Sequence, residues 1–113
     1  MLAFERWYRK EAARILKKRV EQYASQYGFQ YKKVGVTSAR TRWGSCSASG
    51  ALNFSWRLIM APLDVVDYVI VHELVHTQVH NHSKQFWKRV GTIMPDYEER
   101  RKWLRRNGHA LLV

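Results

Sequence analysis

Apolar residues near the start of the chain recur at the spacing of an α-helix. They return every three or four positions through residues 3–27, at Phe4, Trp7, Tyr8, Ala12, Ile15, Leu16, Val20 and Tyr23. Gly28 follows directly, and glycine commonly terminates helices. The pattern predicts a helix over residues 3–27.

Two later stretches alternate between apolar and polar residues, as strands do. They are residues 31–38 (YKKVGVTS) and residues 51–58 (ALNFSWRL). Residues 39–50 (ARTRWGSCSASG) lie between them and are rich in glycine and serine. This segment is predicted to form a loop or a hairpin tip.

Helix-start and helix-stop signals then predict two more helices. Pro62 suits the first turn of a helix that Asn81 or His82 breaks. Ser83 is a suitable N-cap for the next helix, which is predicted to run to about Met94.

The C-terminal part of the chain predicts a last helix. Pro95 separates it from the preceding one, Asp96 is its expected cap, and Gly108 its expected end. The resulting order of helix, small sheet and further helices is of the α+β class. With 113 residues, of which 46% are hydrophobic, the chain is expected to form a single domain, residues 1–113.

Cysteine content and hydropathy bear on the cellular compartment. Cys46 is the only cysteine, so no intramolecular disulfide can form, and a reducing compartment such as the cytoplasm is expected. The N-terminal residues alternate apolar and charged side chains, which fits neither a signal peptide nor a membrane span.

The net charge of +11 indicates anionic partners. Phosphates, acidic polypeptides and anionic surfaces all satisfy this condition. The first and last predicted helices carry most of the exposed basic residues, so contact with nucleic acid is one prediction and a solvated cationic face is the alternative.

The segment VHELVHTQVHNHSKQFW, residues 71–87, contains the candidate metal-binding and catalytic residues. His72 and His76 are four residues apart, so their imidazoles lie on one face of a helix and can bind one metal ion. Glu73 lies beside that face, where it can accept a proton from a water molecule next to the metal. The surrounding residues are apolar, which argues against an ordinary polar patch.

A catalytic zinc site needs a third protein ligand. On a continuous helix His80 would lie about 12 Å along the axis from His72, too far to close one tetrahedron. His82 follows the expected break and can fold back, so it is favoured, with His80 as the alternative. Cys46 is interpreted as a small structural residue rather than as a nucleophile or ligand.

Three consecutive segments extend this motif to a family resemblance. TRWGSCSASGALNFSWRLIMAP, LDVVDYVIVHELVHTQVHNHSKQFW and MPDYEERRKWLRRNG resemble, in that order, the YgjP-like metal-dependent hydrolases. These are zincin-type proteins related to the SprT and Spartan proteases. Members of the family often carry a further region before the first helix, so this chain is expected to be either a minimal form or a fragment.

The resemblance implies zinc bound by His72, His76 and His82, with Glu73 as general base. It also implies a minimal zincin fold, in which an N-terminal helix packs behind a small sheet and an edge strand borders the cleft. The loop residues implied to lie near that cleft, as substrate-binding residues, are Arg42, Trp43, Gly44 and Ser45.

Peptide-bond hydrolysis is therefore the leading hypothesis for the activity, with a polypeptide substrate and Zn²⁺ as cofactor. One alternative is a nucleotide pyrophosphohydrolase that uses the same metal site, because the resemblance extends to proteins so described. Another is a basic nucleic-acid-binding module with a structural zinc, which would need a fourth protein ligand. A protease whose activity is stimulated by DNA would combine peptide hydrolysis with nucleic-acid binding.

Overall fold

The computed structural model describes residues 3–111, so both ends of the predicted domain 1–113 lie outside the described residues. The first helix, α1, spans Ala3–Tyr27, as predicted. Its buried residues are spaced four apart, at Ala12, Leu16, Val20 and Ala24. Gly28 ends the helix with a φ of 76°, a backbone conformation that favours glycine.

A three-stranded sheet follows α1. Its strands are β1 (Lys33–Thr37), β2 (Gly44–Cys46) and β3 (Ala51–Ser55), in the order β1-β3-β2. β1 runs parallel and β2 antiparallel to the central strand β3. The sequence predicts β1 and β3 but not β2, which lies in the segment predicted to form a loop or a hairpin tip. A hairpin tip between β1 and β3 is excluded because these two strands are parallel.

The second predicted strand is shorter than expected. It ends at Ser55, and a 3₁₀ helix, Trp56–Met60, follows it. The Ser55 hydroxyl accepts a hydrogen bond from the backbone N–H of Arg57 and so caps this helix. The buried strand residues Leu52 and Phe54 face the helices, and Trp56 enters the same core from the 3₁₀ helix.

The next helix, α2 (Leu63–His76), lies in the middle of the fold and contacts α1, β2 and both later helices. Pro62, predicted in the first turn, is the N-cap residue directly before it. The predicted break at Asn81 or His82 is wrong, because the helix already ends at His76. Thr77 turns the chain there: its backbone N–H and its hydroxyl both donate to the carbonyl oxygen of Leu74.

Two C-terminal helices complete the fold, α3 (Lys84–Ile93) and α4 (Tyr97–Leu111). The Ser83 hydroxyl caps α3 by accepting from the Phe86 N–H, as predicted. The predicted end of α4 at Gly108 is wrong, since the helix continues to Leu111. A Cβ at Gly108 would lie 3.0 Å from the Trp43 ring, so this glycine permits close packing of α4 on residues 42–46, which are called the β2 segment below.

An ion pair joins α1 to α2. Arg19 donates two hydrogen bonds to the Asp67 carboxylate, at 2.5 and 2.6 Å, and the Tyr23 hydroxyl donates a third at 3.1 Å. Asp67 lies five residues before His72, the first residue of the HExxH motif (His72–His76), so this pair fixes the motif helix, α2, to α1. No helix within residues 3–111 has the length and apolar content that a membrane span requires.

Candidate metal centre and adjoining cleft

The Nε2 atoms of three histidines converge at one point. His82 Nε2 lies 3.0 Å from His76 Nε2 and 3.2 Å from His72 Nε2. Tetrahedral zinc with Zn–N bonds of about 2.0–2.1 Å requires N···N separations of about 3.3 Å. Two of the separations are close to this value, and all three donor atoms lie within 4.8 Å of one another, so the spacing and the all-imidazole donor set fit a metal ion held by these three residues.

Helix α3 explains why His82 reaches the other two histidines. After α2 ends, the chain turns through residues 77–82, and Ser83 starts α3. The buried Phe86 ring on the first turn of α3 packs against all three imidazoles, with centroid distances of 4.5 to 5.1 Å. This aromatic support comes from outside the HExxH motif and keeps the three rings in one cluster.

Hydrogen bonds at the Nδ1 atoms orient two of the ligands. The Val79 carbonyl accepts from His76 Nδ1 at 3.0 Å, and a Glu73 carboxylate oxygen accepts from His72 Nδ1 at 3.0 Å. Both bonds leave the Nε2 lone pair free for a metal. His82 is exposed overall, but partial desolvation, followed by the charges of His72 and His76, lowers its pKa and so favours the neutral form that binds metals.

Glu73 is buried between the histidine cluster and the sheet, at 5% exposure. Its side chain packs on the main chain of Gly44 in β2. A methyl group at position 44 would lie 3.1 Å from Glu73 Cγ and 3.3 Å from one of its carboxylate oxygens. A side chain at position 44 would press on the Glu73 side chain, so β2 and the motif helix are closely packed at the predicted general base.

A cavity of about 250 Å³ opens beside Glu73 and His72. The residues that line it come from the β2 segment, α2 and α4: Arg42, Trp43, Gly44, Tyr68, Val69, His72, Glu73 and Leu104. Three of the four predicted loop residues thus border the histidine site. Ser45 does not line this cavity; it pairs with Asn53 and lines a second cavity of about 230 Å³.

The free edge of β2 faces away from β3 and carries unpaired main-chain groups. The Trp43 carbonyl accepts from the Ser55 N–H, and the Ser47 N–H donates to the Ala51 carbonyl. Because hydrogen-bonded residues alternate in an antiparallel pair, the N–H and C=O groups of Gly44 and Cys46 point to the free edge. This edge borders the cavity that contains Glu73.

Two other candidate ligands lie outside the cluster. Within residues 3–111, the group able to hold a metal consists of the three histidines and includes neither His80 nor Cys46. His80 is exposed. Burial, and after it the charge of Glu73, raises the pKa of the Cys46 thiol, which donates to the Ser47 carbonyl. The thiol is thus held in its unreactive protonated form.

Some residues of the cleft were not singled out from the sequence. Tyr68 and Leu104 line the cavity from α2 and α4, and each follows an ordinary helical pattern of apolar residues. Tyr68 packs edge-on to His72, and burial raises its pKa to about 12. Its position four residues before His72, on the same helical face, was the one available signal.

A HExxH helix with a third histidine downstream and an edge strand alongside is the arrangement of a metallopeptidase. The family model "YgjP-like, metallopeptidase domain" matches residues 2–107, and the chain belongs to this family. The family and the α+β fold predicted from the sequence are thereby confirmed, and they support a metal-dependent peptidase.

A solved structure shows the same fold. The metallopeptidase zymogen abylysin of Pyrococcus abyssi is similar, with a TM-score of 0.70 and 18% sequence identity. The match covers 80% of this chain and 93% of that chain. No curated protein sequence matches this chain.

Proposed function

We propose that this chain is a zinc-dependent peptidase in which His72, His76 and His82 bind the metal and Glu73 is the general base. The observation that carries this proposal is the convergence of three Nε2 atoms next to a buried carboxylate, at the edge of a sheet. Three imidazole ligands leave a tetrahedral zinc with one open position, as catalytic sites require.

Zinc at this position would polarise the peptide carbonyl and acidify water. The two proton transfers of the reaction are assigned to Glu73. Its carboxylate removes a proton from the attacking water, and the same proton then passes to the departing amine nitrogen. The contact with Gly44 and the hydrogen bond from His72 Nδ1 hold the carboxylate in place for both transfers.

The edge strand β2 is suited to bind the substrate. An extended peptide can add to the sheet by hydrogen bonding to the main-chain groups of Gly44 and Cys46. This pairing would place the peptide along the cavity that contains Glu73. Arg42 and Trp43 flank the same cavity and would contact the side chains of the bound peptide.

The carboxylates favour a peptide over a nucleotide pyrophosphate as substrate. A pyrophosphohydrolase is expected to gather carboxylates for Mg²⁺ near the reacting group. Asp67 is instead paired with Arg19 and Tyr23, and Asp64 is exposed on the first turn of α2. Phosphate hydrolysis is therefore the second candidate.

A structural-zinc module receives less support. Such a site needs four protein ligands, and the cluster found within residues 3–111 has three. Contact with nucleic acid stays a prediction. Of the α1 cations, Arg9, Arg14 and Arg19 bond to groups of the protein itself, while Lys17 and Lys18 are exposed.

Replacement of Glu73 by glutamine tests the proposed function. The zinc-loaded protein and the variant are incubated with a pooled peptide library and nucleoside triphosphates, and the products are identified by mass spectrometry. We expect peptide cleavage that falls by about 10² to 10⁴ in the variant, the usual contribution of general acid–base catalysis. Glu99→Gln, at an exposed position on α4, is the matched control and is expected to keep full activity.

The other outcomes identify the alternatives. Nucleotide cleavage that depends on Glu73 would favour the pyrophosphohydrolase, and unchanged peptide cleavage in Glu73→Gln would refute the general-base assignment. The identity of the metal is tested separately, by elemental analysis of the purified protein and by reloading the metal-free protein with Zn²⁺, Mn²⁺ or Co²⁺. Zinc is expected to be bound at one ion per chain.

A further inference from the structure

An open pocket of about 460 Å³ lies on the α3–α4 side of the histidine cluster. Its lining side chains are three cations, two aromatic rings, one carboxylate and one imidazole: Lys84, Lys88, Arg101, Trp87, Tyr97, Glu98 and His82. The pocket shares His82 with the metal centre but none of the residues of the cavity around Glu73. It is therefore a separate compartment next to the site.

Aromatic stacking joins this pocket to the metal centre. The Trp87 ring stacks on His82 with a centroid distance of 5.9 Å and on Tyr97 with a distance of 5.4 Å. The Arg101 guanidinium lies over the same Trp87 ring, 4.8 Å from its centroid. Arg101 is thus one ring away from a metal ligand, and the cation–π contact holds its position.

The cations of the pocket are not neutralised by the protein. Arg14, Arg19 and Arg100 each pair with a carboxylate. By contrast, within residues 3–111 the charged ends of Lys84, Lys88 and Arg101 form no ion pair, although Glu98 lines the same pocket. The planar N–H fork of the Arg101 guanidinium is therefore free to bind a carboxylate.

We propose that this pocket binds an acidic side chain of the peptide substrate and makes the enzyme prefer aspartate or glutamate near the scissile bond. The inference rests on the proposed peptidase function. The pocket shares His82 with the metal centre, and an extended peptide advances about 3.4 Å per residue. A side chain within a few residues of the scissile bond can therefore reach the pocket. Arg101 is the principal specificity residue, and Lys84 and Lys88 add positive charge.

A binding measurement tests the pocket without relying on cleavage. Capped alanine hexapeptides with glutamate, glutamine or lysine at one scanned position are titrated into the zinc-loaded Glu73→Gln variant. Binding is followed through the indole N–H resonance of Trp87 by NMR. At the best position we expect the glutamate peptide to bind about five- to tenfold more tightly than the glutamine peptide, as for a partly exposed charge-assisted hydrogen bond.

Two variants of α4 separate a local contact from the overall charge. Arg101→Gln removes the cation over Trp87, whereas Lys102→Gln removes one charge from an exposed neighbour that does not line the pocket. We expect the preference for glutamate to fall below about twofold in Arg101→Gln and to persist in Lys102→Gln. Equal binding of the three peptides, or a preference that survives Arg101→Gln, would overturn the inference.

Cleavage assays and a nucleic-acid competitor distinguish the remaining outcomes. If the wild type cleaves the peptides without preference for glutamate, the pocket inference fails while the peptidase function stands. If it cleaves none but the Trp87 resonance still reports Arg101-dependent glutamate binding, the peptidase function fails and the cationic pocket stands. Displacement of the glutamate peptide by an oligonucleotide at equal concentration would show that the pocket binds phosphate and would overturn the proposal.

Discussion

The Arg19–Asp67 pair is expected to be a large local contribution to stability, because it fixes the motif helix α2 to α1. The side chain of Asp67 is 9% exposed and that of Arg19 is 26% exposed. Arg19→Met leaves the carboxylate buried with the Tyr23 hydroxyl as its remaining partner. Asp67→Leu instead leaves a guanidinium that can turn toward water.

The exposures set the expected magnitudes. Loss of one partner of a buried ion pair costs about 3–5 kcal/mol. Partial exposure of the pair reduces this, so we expect Arg19→Met to lower the free energy of unfolding by about 3 kcal/mol and Asp67→Leu by about 2 kcal/mol. The double variant replaces the pair by apolar groups and is expected to lose about 2 kcal/mol rather than the sum.

Urea unfolding followed by circular dichroism measures all four proteins of this cycle. The slopes against urea should agree among them, so that the midpoints report stability alone. Thermal midpoints should fall by about 4 °C for each kcal/mol in a domain of this size. Losses that add within about 0.5 kcal/mol in the double variant would refute the reasoning, because independent residues behave in that way.

Substitutions around the histidine cluster are expected to separate metal binding from catalysis. His82→Ala should weaken zinc binding by at least about 100-fold in competition with a chelating dye, and His80→Ala should leave it unchanged; equal effects would contradict the ligand assignment. Gly44→Ala places a methyl group 3.1 Å from Glu73 Cγ and should lower kcat by about 10- to 100-fold at unchanged zinc affinity. Full activity of that variant would show that the Glu73 position is not constrained by β2. Because burial and the negative charge of Glu73 raise the pKa of Cys46, its alkylation by iodoacetamide should reach half of the maximal rate at a higher pH than for a free thiol. In Glu73→Gln that midpoint should move to lower pH, and an unchanged midpoint would exclude the electrostatic contribution.

The parts of the fold that the sequence predicts are those determined by local signals. Helix α1 has the predicted bounds because its apolar period and the left-handed Gly28 both lie within the segment itself. The start of α3 was predicted for the same reason, since the Ser83 hydroxyl caps a backbone N–H three residues away.

The missed strand β2 and the wrong end of α4 depend on distant contacts, whereas α2 ends early through a local one, the bonds from Thr77 to the Leu74 carbonyl oxygen. β2 forms because Gly44–Cys46 pairs with β3 and packs on Glu73, neither of which its glycine- and serine-rich sequence indicates. Gly108 has the residue type of a helix end, yet it serves the contact of α4 with Trp43. The three histidines could be predicted as a cluster because they lie close together in the sequence, whereas the position of Arg101 over Trp87 required the packing of α4 on α3.

The spacing of the three histidines along the chain has a consequence for how the enzyme is assembled. All three lie within the eleven residues 72–82, so a metal that joins them closes only short loops, and the unfolded chain already holds the same donors close together. The proposed peptide-binding edge, by contrast, comes from Gly44–Cys46, which pairs with β3 in the folded sheet. For the proposed zinc enzyme, metal content is therefore expected to be a poor measure of the active fraction of a preparation, because a chain whose sheet has not formed retains all three donor residues.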